Sequence, residues 1–307
     1  MIERRPFLDL LSHILLIFGA LVALLPLWAT LVVSTHSQQD LIEGGTPLWF
    51  GSEGLSVYAR LLIDGPASGP TAPMAQLLAN TAIAAAIVTA AKLVLALATA
   101  YAIVFFRFPL RMLAFWVVLL TLMLPVEVRL LPTAAIADDV LLPLREGWAT
   151  LAAFQGSDVT VSVPRISLLE SPAGLALPLI ASAVAALLFR QLFLTVPDDL
   201  VEAAKIDKAG SWRFFRDILL PMSRVQIAAL ALVLFVHAWG MHAWPLVAAR
   251  TPEAATLSVG LAQALNTGAV PMWPEVAAMA VIALLPPAVL VLSLNWLGRR
   301  ALTRRRR

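Results

Sequence analysis

The chain has 307 residues, 60% of them hydrophobic and 13% charged, with no cysteine and a formal net charge of +3. Soluble domains are about 45–50% apolar, so this composition excludes a water-soluble globular protein, and the missing cysteines exclude disulfides and thiolate metal sites. The basic pI near 9.8 needs no nucleic-acid partner, because the cations cluster where membrane topology would put them.

A spanning helix needs roughly 20 mainly apolar residues. Six stretches qualify: residues 11–33, 77–106, 112–131, 173–194, 225–247 and 276–297. The apolar core of the first is too long for a signal peptide and no small-x-small site follows it, so it reads as a retained anchor. Residues 34–75 are rich in Gly, Pro, Ser and acids. They predict short turns and an interfacial helix at Leu48, Trp49 and Phe50. Lys92 falls in the middle of the second span, where a charge costs about 2.5–3.5 kcal/mol and should face a cavity or a partner. Two readings stand for it: it lines a translocation path and attracts a phosphate, or it pairs with a group of a neighbouring subunit. Pro125 should kink the third span, as Pro286 and Pro287 should the sixth. Glu127 and Arg129 follow Pro125 and read as a gate or a local pair.

The next connection, residues 132–172, carries Asp138, Asp139, Glu146, Asp158 and Glu170, with a short strand predicted at 159–166. Arg190, less than two turns from Pro197, is expected to snorkel or to brace the loop that follows. That loop, residues 196–224, holds ten charged residues in twenty-nine. Pro197, Asp198 and Asp199 are helix-start signals. Gly210 is expected to break this first helix and Ser211 to cap a second. The second helix carries Trp212, Phe215, Ile218 and Leu219 on its apolar face, and Pro221 turns the chain towards the fifth span. On pattern alone, such a segment lies at lipid headgroups or inserts into a partner's groove. Trp239, His242 and Trp244 lie near the far end of the fifth span.

Basic residues orient the spans. Arg4, Arg5, Arg107, Arg111, Lys205, Lys208, Arg213, Arg216, Arg224, Arg299, Arg300 and Arg304 to Arg307 make fifteen on one side, against Arg60, Arg129, Arg145, Arg165 and Arg250 on the other. This predicts an all-α integral membrane protein with six transmembrane helices and both termini in the cytoplasm. Three segments follow: residues 1–75, a core at 76–298 containing the loop at 196–224, and a basic tail at 299–307. There is no GxxxxGK[ST] for ATP and no HExxH for zinc, so no catalytic or metal constellation is predicted.

Glu202-Ala203-Ala204, the following IDKAG, and ILLP at 218–221 resemble the EAA loop of ABC importer permeases. The runs at 1–27, 106–129 and 177–207 extend the resemblance over nearly the whole chain. They are similar to the maltose-type permeases, closest to the second permease subunit of sn-glycerol-3-phosphate importers. The resemblance implies a type I ABC importer permease fold and no cofactor. It makes Glu202, Ala203, Ala204, Asp207, Lys208 and Gly210 the loop that couples to a separate ATPase. Its implied partners are a second permease in a heterodimer, a cytoplasmic ATPase dimer, a periplasmic substrate-binding protein and membrane lipid, in a bacterial inner membrane. The implied cargo is sn-glycerol 3-phosphate or its diesters, with a neutral sugar or polyol as the alternative, and Lys92, Trp239, His242 and Trp244 as path residues. Three features depart from the pattern: Lys208 stands where glycine is usual, Gly240 stands at an asparagine position, and residues 136–169 form a longer outer connection. An ion-coupled secondary transporter, the competing class, should carry carboxylates at mid-membrane, and Glu127 alone approaches that place.

Overall fold

The computed structural model describes residues 6–67, 72–120, 124–154, 164–266 and 270–304, and within them every regular element is helical. In chain order the α-helices are α1 (Pro6–Val33), α2 (Gln38–Gly44), α3 (Ser56–Ile63), α4 (Met74–Phe105), α5 (Arg111–Leu120), α6 (Val126–Asp138), α7 (Leu142–Phe154), α8 (Pro172–Ala176), α9 (Ala183–Leu194), α10 (Asp198–Ile206), α11 (Ser211–Phe214), α12 (Leu220–Trp239), α13 (Ala243–Ala248), α14 (Leu257–Leu265) and α15 (Trp273–Arg304). Among the described residues, four helical runs are long and apolar enough to cross a membrane: Leu10–Val33, Met74–Phe105, Ser211–Trp239 and Trp273–Leu294. Pro172–Leu179 and Ala183–Leu194, bent by 52° at their junction, make a fifth when taken together.

Three of the six predicted spans are therefore not simple rods. The third is interrupted at Leu124 and Pro125, with Pro125 as the cap of α6 and not a kink inside it. The fourth is interrupted between Leu179 and Ala183, and the fifth stops at Gly240 before the short α13. Hydropathy is blind to such breaks, since two or three residues outside the helix barely change a window average. The strand expected at 159–166 falls mostly outside the described residues, and 164–166 are coil.

The chain forms two compact units. The first comprises Met1–Leu78 and Gly260–Arg307. In it α1 and α3 pack on α15. Glu275, in the first turn of α15, is 1% exposed; it accepts hydrogen bonds from the Arg60 guanidinium at 2.9 Å and from the Ala67 N–H at 3.0 Å. Carboxylate burial is tolerated there because both oxygens are satisfied and the helix N-terminus favours negative charge. Gln38 ties α2 to the start of α15, donating to the Pro271 carbonyl at 3.2 Å and accepting from the Trp273 N–H at 3.0 Å. Leu48, Trp49 and Phe50 do not form the expected interfacial helix. They lie in a bend whose rings gather on Trp28 of α1, with centroids 5.8 Å (Trp49) and 5.2 Å (Phe50) away. The Trp28 indole donates to the Leu48 carbonyl at 3.3 Å, which fixes the bend.

The second unit is Ala79–Val259. One of its cores joins Ala96, Leu97 and Ala100 of α4 to Phe189 and Phe193 of α9, and to Ala204, Phe214 and Leu219. The small residues of α4 let the helices approach closely, the usual solution where lipid removes much of the hydrophobic drive. The other core centres on Trp244, which is 2% exposed and donates to the Gly174 carbonyl at 3.1 Å. Gly174 is required there: a Cβ would stand 1.9 Å from the Leu168 carbonyl oxygen. The connection from 138 to 172 is pinned by two adjacent acids. Asp139, 5% exposed, pairs with Arg145 at 2.5 Å, and Asp138 pairs with Arg165 and, at 3.8 Å, with Arg250.

Candidate coupling loop and polar cavity

Residues 196–224 begin with α10, whose acids Asp198 and Asp199 lie in its first turn and Lys205 in its last, each matched to the helix dipole. Ala204 is buried and Val201 half-buried against Tyr101, Phe105 and Phe214. The opposite face is bare: Glu202 and Ala203 are exposed, and Ile206 is 80% exposed. A small helix that seats one side in its own subunit and shows alanine, isoleucine and a carboxylate on the other has the form of a helix-in-groove ligand.

The helix ends at Ile206 with Asp207 as its cap, and Lys208, not Gly210, takes the turn after it. Lys208 has φ +51°, in the left-handed region. The Ala209 N–H donates to the Ala204 carbonyl at 2.9 Å and the Lys208 N–H to the Lys205 carbonyl at 3.1 Å. These paired bonds, six-to-one and five-to-two, are the capping pattern that glycine normally serves at the left-handed position. The glycine usual in the resembling loops thus has a physical role here that lysine performs under strain. Gly210 adopts extended geometry (φ −64°, ψ 159°) and is itself the cap residue of α11, a place expected for Ser211.

The second helix also differs from expectation. Phe214, not Trp212, is the buried ring, at 5.3 Å from Phe105, while Trp212 is 71% exposed and stacks on Phe215 at 5.8 Å. Pro221 does not turn the chain. Residues Phe215–Leu219 form a π turn, in which the Leu220 N–H reaches back five residues to the Phe215 carbonyl. That widened turn accommodates the proline ring and its missing N–H, so Ser211–Trp239 runs as one 29-residue helix. The extra residue of the π turn rotates the apolar face, which explains the wrong ring in a 3.6-residue reading. The Tyr101 hydroxyl donates to the Ser211 carbonyl at 2.7 Å and ties the end of α4 to this start.

Lys92 is 8% exposed and lines a cavity of about 450 Å³ with Arg129, His237, Gly240, His242 and Trp244. The walls include two of the helix interruptions of this unit, Pro178 to Ala181 and Gly240 to His242. Non-helical backbone at membrane depth is tolerated where it is packed in protein or lines such a cavity. Arg129, which the sequence set apart from Lys92, is brought to the same cavity. Of the other proposed path residues, Trp244 is held mainly by its bond to Gly174. Trp239 is buried at the end of α12 with its ring 5.8 Å from Phe235, and does not line the cavity. Pro125 caps α6, and the Glu127 side chain lies outside the described set. Arg190 stands over the Phe115 ring, 4.2 Å from its centroid, and so braces α9 against α5 by a cation–π contact.

Comparison with known proteins adds three findings. The family model described as "Binding-protein-dependent transport system inner membrane component" matches residues 92–307. The chain is 40% identical over 298 residues to the sn-glycerol-3-phosphate transport system permease protein UgpE of Rhizobium meliloti (strain 1021), with 96% of each chain covered. It is 36% identical over 301 residues to the protein of the same name from Yersinia pestis bv. Antiqua (strain Antiqua), covering 97% of this chain and 98% of that one. A solved bacterial ABC transporter involved in the import of the acidic polysaccharide alginate superposes with a TM-score of 0.70 at 19% identity, over 96% of this chain and 98% of the other, and so shares the fold. By the family model and by its relatives, the chain belongs to the inner-membrane components of binding-protein-dependent transport systems.

Proposed function

We propose that this chain is one of two permease subunits of an ATP-driven importer for sn-glycerol 3-phosphate or related glycerophosphodiesters. The observation that carries the reading is similarity over nearly the full length to permeases named for sn-glycerol-3-phosphate transport, 36–40% identical. The cargo arrives from an external binding protein, and a second permease closes the path. Residues 196–224 seat in a cytoplasmic ATPase dimer, the bare side of α10 entering its groove. The bias of basic residues supports six spans with both termini in the cytoplasm, the apolar α5 belonging to the sixth. This subunit hydrolyses nothing itself; closure of the ATPase dimer moves the two α10 equivalents together and switches the bundle from inward to outward facing.

The test is reconstitution of the four-component system in vesicles. ATP-dependent uptake of labelled sn-glycerol 3-phosphate is expected. Replacing Glu202 by Lys and Ala203 by Trp should release the ATPase on purification and abolish uptake while leaving the permease pair intact. Full uptake and a retained ATPase after both changes would refute the docking assignment. Uptake of a neutral polyol but not the phosphate ester would refute the cargo.

A further inference from the structure

We infer that Lys92 and Arg129 together form a two-cation subsite that receives the phosphoryl group of an anionic cargo at the interrupted helices of the second unit. The inference rests on the reading of this chain as a permease and adds where, and by which groups, the anion is held.

The first support is how the arginines pair. Arg60 bonds Glu275, Arg145 bonds Asp139, and Arg165 and Arg250 both bond Asp138. These four arginines each have a carboxylate partner. Lys92 and Arg129 have no carboxylate partner among the described residues, and the described lining of their cavity contains none. The second is burial. Lys92 has lost nearly all its contact with solvent, which a lone ammonium tolerates poorly without a counter-charge. The third is proximity. Lys92 and Arg129 line the same cavity. Two like charges around one cavity are unfavourable alone and become favourable when a phosphate stands between them. Their chemistry is complementary: guanidinium grips two phosphate oxygens in a plane, and ammonium supplies a compact point charge. The cavity, about 450 Å³, lies within the range of about 300–1,000 Å³ usual for small-molecule sites. Its walls at Pro178 to Ala181 and Gly240 to His242 belong to interrupted helices, the backbone arrangement that membrane transporters place around a cargo.

The experiment uses the complete reconstituted transporter and labelled sn-glycerol 3-phosphate, with co-purified partner permease and ATPase as the check on assembly. Arg129→Gln and Lys92→Met should each lower uptake at sub-saturating cargo about tenfold or more, the effect of one charge-assisted hydrogen bond. Lys92→Arg, which keeps the charge, should retain at least half. Arg129 is exposed, so Arg129→Gln carries the test even if Lys92→Met does not assemble. Uptake of the phosphate ester by wild type with no loss in assembled Arg129→Gln overturns the subsite and leaves the permease assignment standing. An assembled Lys92→Arg as inactive as Lys92→Met overturns it as well. The measurements are repeated in phosphatidylcholine vesicles with and without phosphatidylglycerol. A loss confined to vesicles with the anionic lipid would mean that the cations hold a lipid headgroup, and the proposal fails; a loss equal in both supports it.

Discussion

Replacing Lys208 by glycine should strengthen the end of α10 without removing any packed contact, because Lys208 is exposed and its backbone sits at φ +51°. A residue with a Cβ in the left-handed region pays about 1–2 kcal/mol that glycine does not. Glycine gives back about 0.4–1 kcal/mol through the greater freedom of the opened chain. The net gain is about 0.5–1 kcal/mol, which corresponds to about two- to fivefold less opening of the cap. The reporters are the Ala209 and Lys208 amides, bonded to the Ala204 and Lys205 carbonyls. Hydrogen exchange followed by mass spectrometry on a peptide covering 203–210 should slow by that factor in Lys208→Gly. Lys208→Val, with a β-branched side chain at a left-handed position, should speed it by about fivefold, for about 1 kcal/mol of added strain. Unchanged exchange in the glycine variant, or a valine variant as protected as wild type, would show that the left-handed cap is not what ends the helix.

Other substitutions test the frame around the loop and cavity. Phe214→Ala removes a buried ring that packs on Phe105 and should cost about 3 kcal/mol, read as a lower melting temperature of the purified complex; an unchanged melt would mean that α10 has no fixed seat. Glu275→Gln leaves the Arg60 guanidinium without its counter-charge and should cost about 1–3 kcal/mol by the same melt, and Arg60→Gln in the same chain should add less than its separate effect. Gly174→Ala forces a methyl into the Leu168 carbonyl and should abolish membrane accumulation of the folded subunit, which a fluorescence-detected size-exclusion profile would show directly.

The membrane class and the loop were legible because both rest on local signals: long apolar runs, and an alanine-rich amphipathic turn between acids and bases. What escaped depends on geometry that a residue-by-residue reading does not carry. Trp212 and Phe214 exchange roles because a π turn adds a residue to one turn of helix, and only Pro221 hinted at it. The pairing of Glu275 with Arg60 joins positions more than two hundred residues apart. That Arg129 lines one cavity with Lys92 joins two different helices, which adjacency in the sequence does not show. Gly240 was noticed as a missing asparagine; its position at the end of α12, with Pro245 shortly after, was the available sign that the span stops there.

The unbroken run Ser211–Trp239 has a mechanical consequence. At 1.5 Å per residue its 29 residues make a rod about 44 Å long. One tip carries the residues beside α10, and the other delivers Val236, His237 and Gly240 to the cavity wall. A rod of that length has the reach of a lever: a pivot of about 10° near one end would sweep the other through about 8 Å. The two usual causes of a kink, the π turn and Pro221, both lie close to the loop, and neither recurs along the remaining length. On the proposed reading, a push at the loop would therefore reach the cavity through a single continuous helix.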